Sequence, residues 1–509
     1  MKISAMGLGF LGLFLIFITT QVFKFSSDHL HNQVYRTAFH FQPPKNWMND
    51  PNAPMYYKGV YHLFYQYNPY AAVWGNITWG HSVSYDLVNW IHLDHALYPT
   101  HPFDINGCWS GSSTFLSNEN PVILYTGRDS QDRELQNLAI PKNSSDPFLV
   151  NWVKSPHNPL MSPVDGIKPD KFRDPTTAWR GPDGTWRVIV GGEGRAYLYH
   201  SDDFVSWTRR ETPLHSLPGS GMWECPDFYP VSTESGLDLD ESSSVDEFSK
   251  YVLKVSTYPV DSYVLGKYDV ESDRLTVDSE FEDGGLDFRH DYGKFYASKT
   301  FFDSAKKRRI LWAWIAETDT EVDSVKRGWA GLQSIPRTIL LSESGRQLVQ
   351  WPVEEIETLR SKNVSLHDKD LKAGSAVKIS GITASQADVE VYFELPELEG
   401  AELMDPGWGN DARTICGKMT ASVKGKVGPF GLLVLASKDL TEQTAVFFRI
   451  YRKDDNKFVV LMCSDQSRSS SREGPDKTTY GAFVDIDPLQ DKISLRTLVI
   501  NFVAKIYMA

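Results

Sequence analysis

The sequence predicts an all-β protein, a β-propeller followed by a β-sandwich, on three observations. From residue 40 to about 345 it reads as short strand-like runs: "GVYHLFYQYN", "NPVILYTG", "TWRVIVGG", "RAYLYHS" and "RRILWAWI" have Gly, Pro, Asn or Asp at or near their ends. Helical periodicity is nearly absent from this stretch. The segment "HSVSYDLVNW" at 81–90 recurs as "HSDDFVSW" at 200–207, each time after a strand-like run, as expected for copies of one four-stranded unit. At roughly 45–60 residues per unit, about five units fit.

The chain opens on "MKISAMGLGFLGLFLIFITTQVFKF", in which Lys2 precedes an uncharged run to Phe23. That is the pattern of a secretory signal over residues 1–25. The run is nearly long enough to cross a bilayer, so contact with a membrane is expected only if the leader stays on as an anchor. Three N-x-Ser/Thr sequons, at Asn76, Asn143 and Asn363, agree with a secretory route. The propeller is expected over 38–345. Inside it, "ESGLDLDESSSVDEFS" at 234–249 reads as a mobile acidic surface loop. "WPVEEIETLRSKN" at 351–363 is helix-like or a linker, within a connection expected at 346–365. Beyond it "VYFELPEL", "FGLLVLAS", "TAVFFRIYR" and "KFVVLMCS" read as strands of the sandwich, expected over 366–509. None of the four cysteines makes a C-x-x-C pair. Cys416 and Cys463 fall in strand-like segments and could form one disulfide in an oxidising compartment; the alternative is four buried thiols.

Composition narrows the partners. A net charge of −13, with "KKRR" at 306–309 as the longest basic cluster, excludes a nucleic-acid binder, which needs a basic face. The 15 Trp, 23 Tyr and 27 Phe suit buried β-structure and also the flat faces that line sugar clefts.

Three acids then stand out. Asp50 lies in "WMNDPN", Asp174 in "KFRDPTTAW" and Glu224 in "MWECPDF", each with a proline one or two positions later. Proline has no amide hydrogen to give to a ladder, so these are strand beginnings or edges. In a propeller, inner strands begin at the mouth of the central channel, and acids at three such starts would converge. Retaining glycoside cleavage needs such a set: one ionised carboxylate to attack the anomeric carbon and one protonated carboxyl to serve the leaving oxygen. Asn49 and Asn52 are expected to donate to Asp50 and keep it ionised, which suits the nucleophile. Clustered charge and a Trp223 wall are expected to raise Glu224, which suits the acid and base. Asp174, beside Arg173, is expected to stay charged and hold sugar hydroxyls. A single Asp-Pro is ordinarily a turn; three acid motifs with tryptophans nearby are harder to read that way.

These motifs resemble those of glycoside hydrolase family 32, in particular its plant acid invertases and fructan exohydrolases. "WMNDPN" is similar to the family's nucleophile motif, "FRDP" to its transition-state-stabiliser motif and "WECPDF" to its acid/base motif, and the likeness runs from about residue 38 to 498. The resemblance implies a five-bladed propeller carrying the site, then a β-sandwich, with no metal and no cofactor. It implies substrate contacts at Trp47, Met48 and Asn49, at Gln66 in "FYQYNP", at Trp74 in "VWGN", at Trp109 and Ser110 in "CWSGSST", and at Arg173. Pro226 is similar to the cell-wall branch, although the acidic charge predicts looser retention by wall polyanions.

Three departures from the family pattern shape the functional expectation. Ala53 stands where glycine is frequent. The stretch "VSTYPVDSYVLG" at 255–266 is shorter than the invertase counterpart, which reads like "VSLDDTKHDYYTIG". It lacks the Asp and Lys that hold the glucose half of sucrose, and Asp261 is the nearest substitute. The tail after Leu498 leaves the family's usual continuation and reads as a shortened sandwich with an unpaired edge. The expected function is therefore release of terminal fructose from inulin- or levan-type fructans. Sucrose hydrolysis by a cell-wall invertase is the alternative, and a non-catalytic fructan-binding protein is the alternative of another class.

Overall fold

Trp47 and Ala330, far apart in sequence, lie side by side on parallel neighbouring strands. That pairing closes a ring. The computed structural model describes residues 36–508 except 38, 117–118, 165, 233–248, 280–287, 382–385, 396–397, 410, 454–456 and 500–506. The leader at 1–25, nearly all of the acidic stretch at 234–249 and most of the divergent tail lie outside the described residues.

Five sheets make the ring. Blade I holds Asn46–Tyr57, Val60–Asn68, Thr78–Ser84 and Trp90–Leu97, and blade II holds Gly107–Phe115, Pro121–Arg128, Glu134–Pro141 and Trp152–Lys154. Blade III is built from Trp179–Arg180, Trp186–Gly192, Arg195–Ser201 and Thr208–Arg209. Blade IV has Glu224–Ser232, Ser249–Thr257, Val260–Asp269 and Arg274–Val277, and blade V has Phe295–Asp303, Arg308–Ile315, Arg337–Leu341 and Leu348–Pro352. The last strand pairs with Arg337–Leu341, so the fifth blade runs past the expected end at 345 to Pro352. Part of the helix-like stretch is thus strand, and a 3-10 helix at Glu354–Leu359 follows.

The repeat read in the sequence has a structural cause. Asp86 and Asp203 each accept two backbone N–H groups, from Val88 and Asn89 and from Val205 and Ser206. Leu87 and Phe204 sit at φ 61° and 64°, and the indoles of Trp90 and Trp207 donate to their carbonyls at 3.1 and 3.2 Å. The two segments are one turn, joining the third and fourth strands of blades I and III.

The apolar core lies between blades rather than in one centre. Phe64 and Trp79 of blade I pack with Ile123 and Tyr125 of blade II. Val122 and Leu124 pack with Val188 and Val190, Ile189 with Phe228 and Leu311, and Tyr61 with Phe301 and Trp312. Each blade therefore depends on its neighbours for burial, the condition that holds repeat architectures together.

Past the 3-10 helix the chain forms a sandwich. One sheet orders Val377–Lys378, Tyr507–Met508, Phe430–Val434, Thr444–Arg452, Phe458–Asp465 and Tyr480–Val484; a two-stranded sheet pairs Ala387–Phe393 with Ile493–Val499. Cys416 and Cys463 are bonded, with Cα atoms 5.6 Å apart. Contrary to expectation Cys416 is not in a strand: it lies in the helix Ala412–Lys418, where the Asp411 side chain accepts from the Thr414 amide and starts the turn.

Candidate active site

The inner strands do not run smoothly where they meet the channel. Register breaks fall between Met48 and Pro51, Cys108 and Gly111, Glu224 and Asp227, and Tyr296 and Lys299. Ala53, Asp174, Cys225 and Ala297 sit at φ 40°, 65°, 43° and 54°. Bulges of this kind re-aim side chains, and here four of the five blades carry one beside a residue singled out below. Ala53 thus takes the positive φ that glycine would take more cheaply.

The three acids fall in one cluster, linked through Cys225 and Arg173. Asp50 Oδ1 accepts from Asn49 at 3.0 Å and Oδ2 from the Ser110 hydroxyl at 2.6 Å. The buried Cys225 thiol points at Asp50 Oδ2 (3.5 Å) and Asp174 Oδ2 (3.6 Å), so the two carboxylates flank one sulfur. The Cys225 amide donates to the same Asp174 oxygen at 2.8 Å. Arg173 donates to Glu134 at 2.7 Å and to Glu224 Oε1 at 2.5 Å. The other Glu224 oxygen accepts from the Tyr296 hydroxyl.

Charge follows burial. Burial pushes the Asp50 carboxyl up to about 6, aided by Asp174 and Glu224 and opposed by Ser110 and Asn49. Burial also raises Asp174, with Arg173 pulling it back. The expectation of an Asp50 held ionised by two asparagines holds for Asn49, which donates to it and favours the charged form, but burial outweighs that effect and Asn52 takes no part. Asn52, fully buried, makes no hydrogen bond to it, and the second donor is Ser110. The expected Trp223 wall is corrected too: that indole is buried in the core and bonds Ser220, and Tyr296 is the aromatic group on Glu224. Burial, then Glu224, drives the Tyr296 hydroxyl far above its ordinary value, so it donates.

The other expected positions divide. Trp47 donates to Asn49 (2.8 Å), Asn49 to Gln66 (2.9 Å) and Gln66 to Ser110 (2.5 Å), a chain that encircles Asp50. Trp109 lies under Arg128 at 4.5 Å and Arg173 at 5.7 Å, and Trp74, 54% exposed, meets it edge-on at the rim. Met48 is not part of this bonded chain. It is fully buried and packs with Tyr65, Phe301 and Trp312. Asp261 is buried as well, accepting the Ala297 and Ser298 amides at 3.1 and 2.7 Å, so it is not free to replace the missing glucose-holding acid. The tip of its hairpin instead presents Tyr258, 77% exposed, edge-on to Tyr296. Asn76, Asn143 and Asn363 are all exposed.

Sequence reasoning missed Tyr296, Cys225 as a contact, and Glu134. Cys225 sits inside the acid/base motif, which is a usable signal; Tyr296 and Glu134 have none nearby. Gly191 was missed for the same reason. Its Cα faces the Trp223 carbonyl so closely that a Cβ would lie 2.1 Å from it and 3.1 Å from the Arg173 carbonyl.

Known proteins match this arrangement along almost the whole chain. Residues 40–352 fit the glycosyl hydrolases family 32 N-terminal domain, and 355–499 the glycosyl hydrolases family 32 C-terminal domain. The chain is 56% identical over 481 residues to the insoluble beta-fructofuranosidase isoenzyme CWINV1 of Arabidopsis thaliana, covering 92% of this chain and 82% of that one. It is 52% identical over 486 residues to the fructan 6-exohydrolase of Beta vulgaris, covering 93% and 80%. A crystal structure of fructan 1-exohydrolase IIa from Cichorium intybus in complex with 1-kestose superposes with a TM-score of 0.89 at 50% identity, covering 93% and 94%. Propeller, sandwich and both domain matches lead to one conclusion: the chain is a member of glycosyl hydrolases family 32.

Proposed function

We propose that this protein is a retaining fructan exohydrolase that removes terminal fructosyl units from β-fructans. The observation that carries the reading is the cluster in which Asp50 and Asp174 flank the Cys225 thiol while Arg173 reaches Glu224. In this reading Asp50 attacks C2 of the terminal fructose, and Glu224 gives its proton to the departing glycosidic oxygen. A fructosyl ester on Asp50 results. Glu224, now ionised, takes a proton from water, whose oxygen bonds to C2 as the ester bond breaks, releasing fructose and restoring both carboxyls. Asp174 and Arg173 hold the sugar hydroxyls, and the exposed Trp74 offers an aromatic surface beside Trp109.

The choice of fructan over sucrose is supported by the stretch at 255–266, where Tyr258 is exposed and Asp261 is tied to the backbone. A fructan 6-exohydrolase and a fructan 1-exohydrolase among the relatives support it too. A wall location is supported by the cell-wall beta-fructofuranosidase of Pisum sativum, 55% identical, by the expected leader and by the three exposed sequons. The beta-fructofuranosidase relative at 56% identity favours a second reading, sucrose hydrolysis.

Two measurements decide. Asp50→Ala and Glu224→Gln are each expected to lower fructose release about a thousandfold or more, and near-normal release by either ends the assignment. Initial rates on sucrose, inulin and levan are then compared for the parent protein. A dominant sucrose rate selects the second reading, and binding of fructan without turnover selects a non-catalytic protein.

A further inference from the structure

Two lysines are entombed beneath the site, and the chemistry proposed above uses neither. Lys254, on the second strand of blade IV, is fully buried and sits across the ladder from Asp227, at the end of the bulge that follows Glu224. Its ammonium donates to the Cys225 carbonyl at 2.6 Å and to the Ser298 carbonyl at 2.5 Å, with Ser256 Oγ at 3.3 Å and Asp261 at 3.7 Å. An ammonium has three protons and tolerates such burial only when they are used and the charge is matched. Here both conditions are met. Asp261 supplies the charge and also accepts the Ala297 and Ser298 amides. Lys299, one residue beyond Ser298, donates to the Pro226 carbonyl at 3.0 Å.

The placement is informative. Cys225 follows Glu224, Ser298 is two residues beyond Tyr296, and both lie within their strands' bulges. Blades IV and V are separate sheets, so no backbone ladder ties these two inner strands together. Yet Glu224 and Tyr296 must meet across that gap, and do. We propose that Lys254, with Asp261, is a positioning residue for the reaction: its ammonium staples the bulge carrying Glu224 to the bulge carrying Tyr296. It touches no substrate and acts through that carboxyl–phenol contact.

The proposal rests on Glu224 serving as acid and base, which the Glu224→Gln variant tests separately. Activity is therefore read on whichever sugar the parent protein cleaves. Lys254→Met keeps the length of the side chain and removes its donors. In the secreted full chain, with folding checked by circular dichroism, it is expected to lower kcat about a hundredfold while KM stays within about threefold. Lys254→Gln, which keeps an N–H donor, is expected to recover part of that loss. Combined with Tyr296→Phe, Lys254→Met is expected to lower kcat little below that of the more impaired single variant, because both remove the same contact. A folded Lys254→Met protein with kcat within about threefold of the parent, or fully multiplicative losses in the double variant, overturns the proposal. Where Lys254→Met is not recovered folded, Asp261→Asn is taken through the same cycle with Tyr296→Phe. Non-additive losses sustain the staple and multiplicative losses overturn it.

Discussion

Asp50 is expensive to ionise where it sits. Burial holds its carboxyl near 6, above the ordinary 3.8. A group raised on folding contributes stability that is present in full below its unfolded value and is lost as pH rises through its folded one. Replacing it by Asn should therefore stabilise the protein above about pH 6, by on the order of 2 kcal/mol. The gain should vanish toward pH 4. Thermal unfolding of both proteins across that range checks this, and a gain that does not depend on pH contradicts it. If Asp50 is the nucleophile, the acidic limb of kcat/KM should likewise lie above the usual carboxylate range. Reading single residues from sequence succeeded where a local feature marked them: each acid sits by a proline, although only Glu224 begins a strand, Asp50 being fifth in Asn46–Tyr57 and Asp174 lying outside any strand. It failed for Met48, because neighbours along a strand point to opposite faces. Trp47 and Asn49 join the chain around Asp50, and the residue between them belongs to the core.

Strands supply the second lesson. The alternating apolar runs were legible, but the bulges were not, since a bulge exists only relative to a partner's register. The same holds for Gly191, whose neighbours come from two other segments. Adding one methyl group there, in Gly191→Ala, forces the Trp223 and Arg173 carbonyls and Pro226 apart. Those segments carry all of Arg173, Asp174 and Glu224. The variant should lose about 2–4 kcal/mol of stability and most of its activity. An Ala variant with parental unfolding temperature and turnover would show that the strands can move aside cheaply. The helix at Ala412–Lys418 was misread as strand although its signal was present: Asp411 is a good N-cap, and the apolar Ile415 and Cys416 lie on its buried side.

Propeller and sandwich are joined by charge as well as by chain. Arg496 of the sandwich bonds Glu357 of the 3-10 helix at 2.6 Å, Arg472 reaches Asp323 at 2.9 Å and Lys294 reaches Asp476 at 2.9 Å. The disulfide closes 47 residues wholly within the sandwich, so its loss should destabilise that domain by about 4 kcal/mol on chain-entropy grounds. Replacing both cysteines by serine should lower the sandwich transition in calorimetry and leave kcat at moderate temperature nearly unchanged. A matching fall in kcat would show that the site depends on the sandwich more closely than its residues indicate. Domain order and the repeated turn could be read from the sequence because each recurs locally, whereas the closure of the ring could not. Asn46 and Trp47 pair with Trp329 and Ala330, and Gln333 donates to the Asn49 carbonyl at 2.6 Å. The backbone on which Asp50 rides is thus clasped by the final blade. A ribosome must pass residue 333 before that clasp can form, so nascent chains stalled earlier should release no fructose, however well their first four blades have condensed.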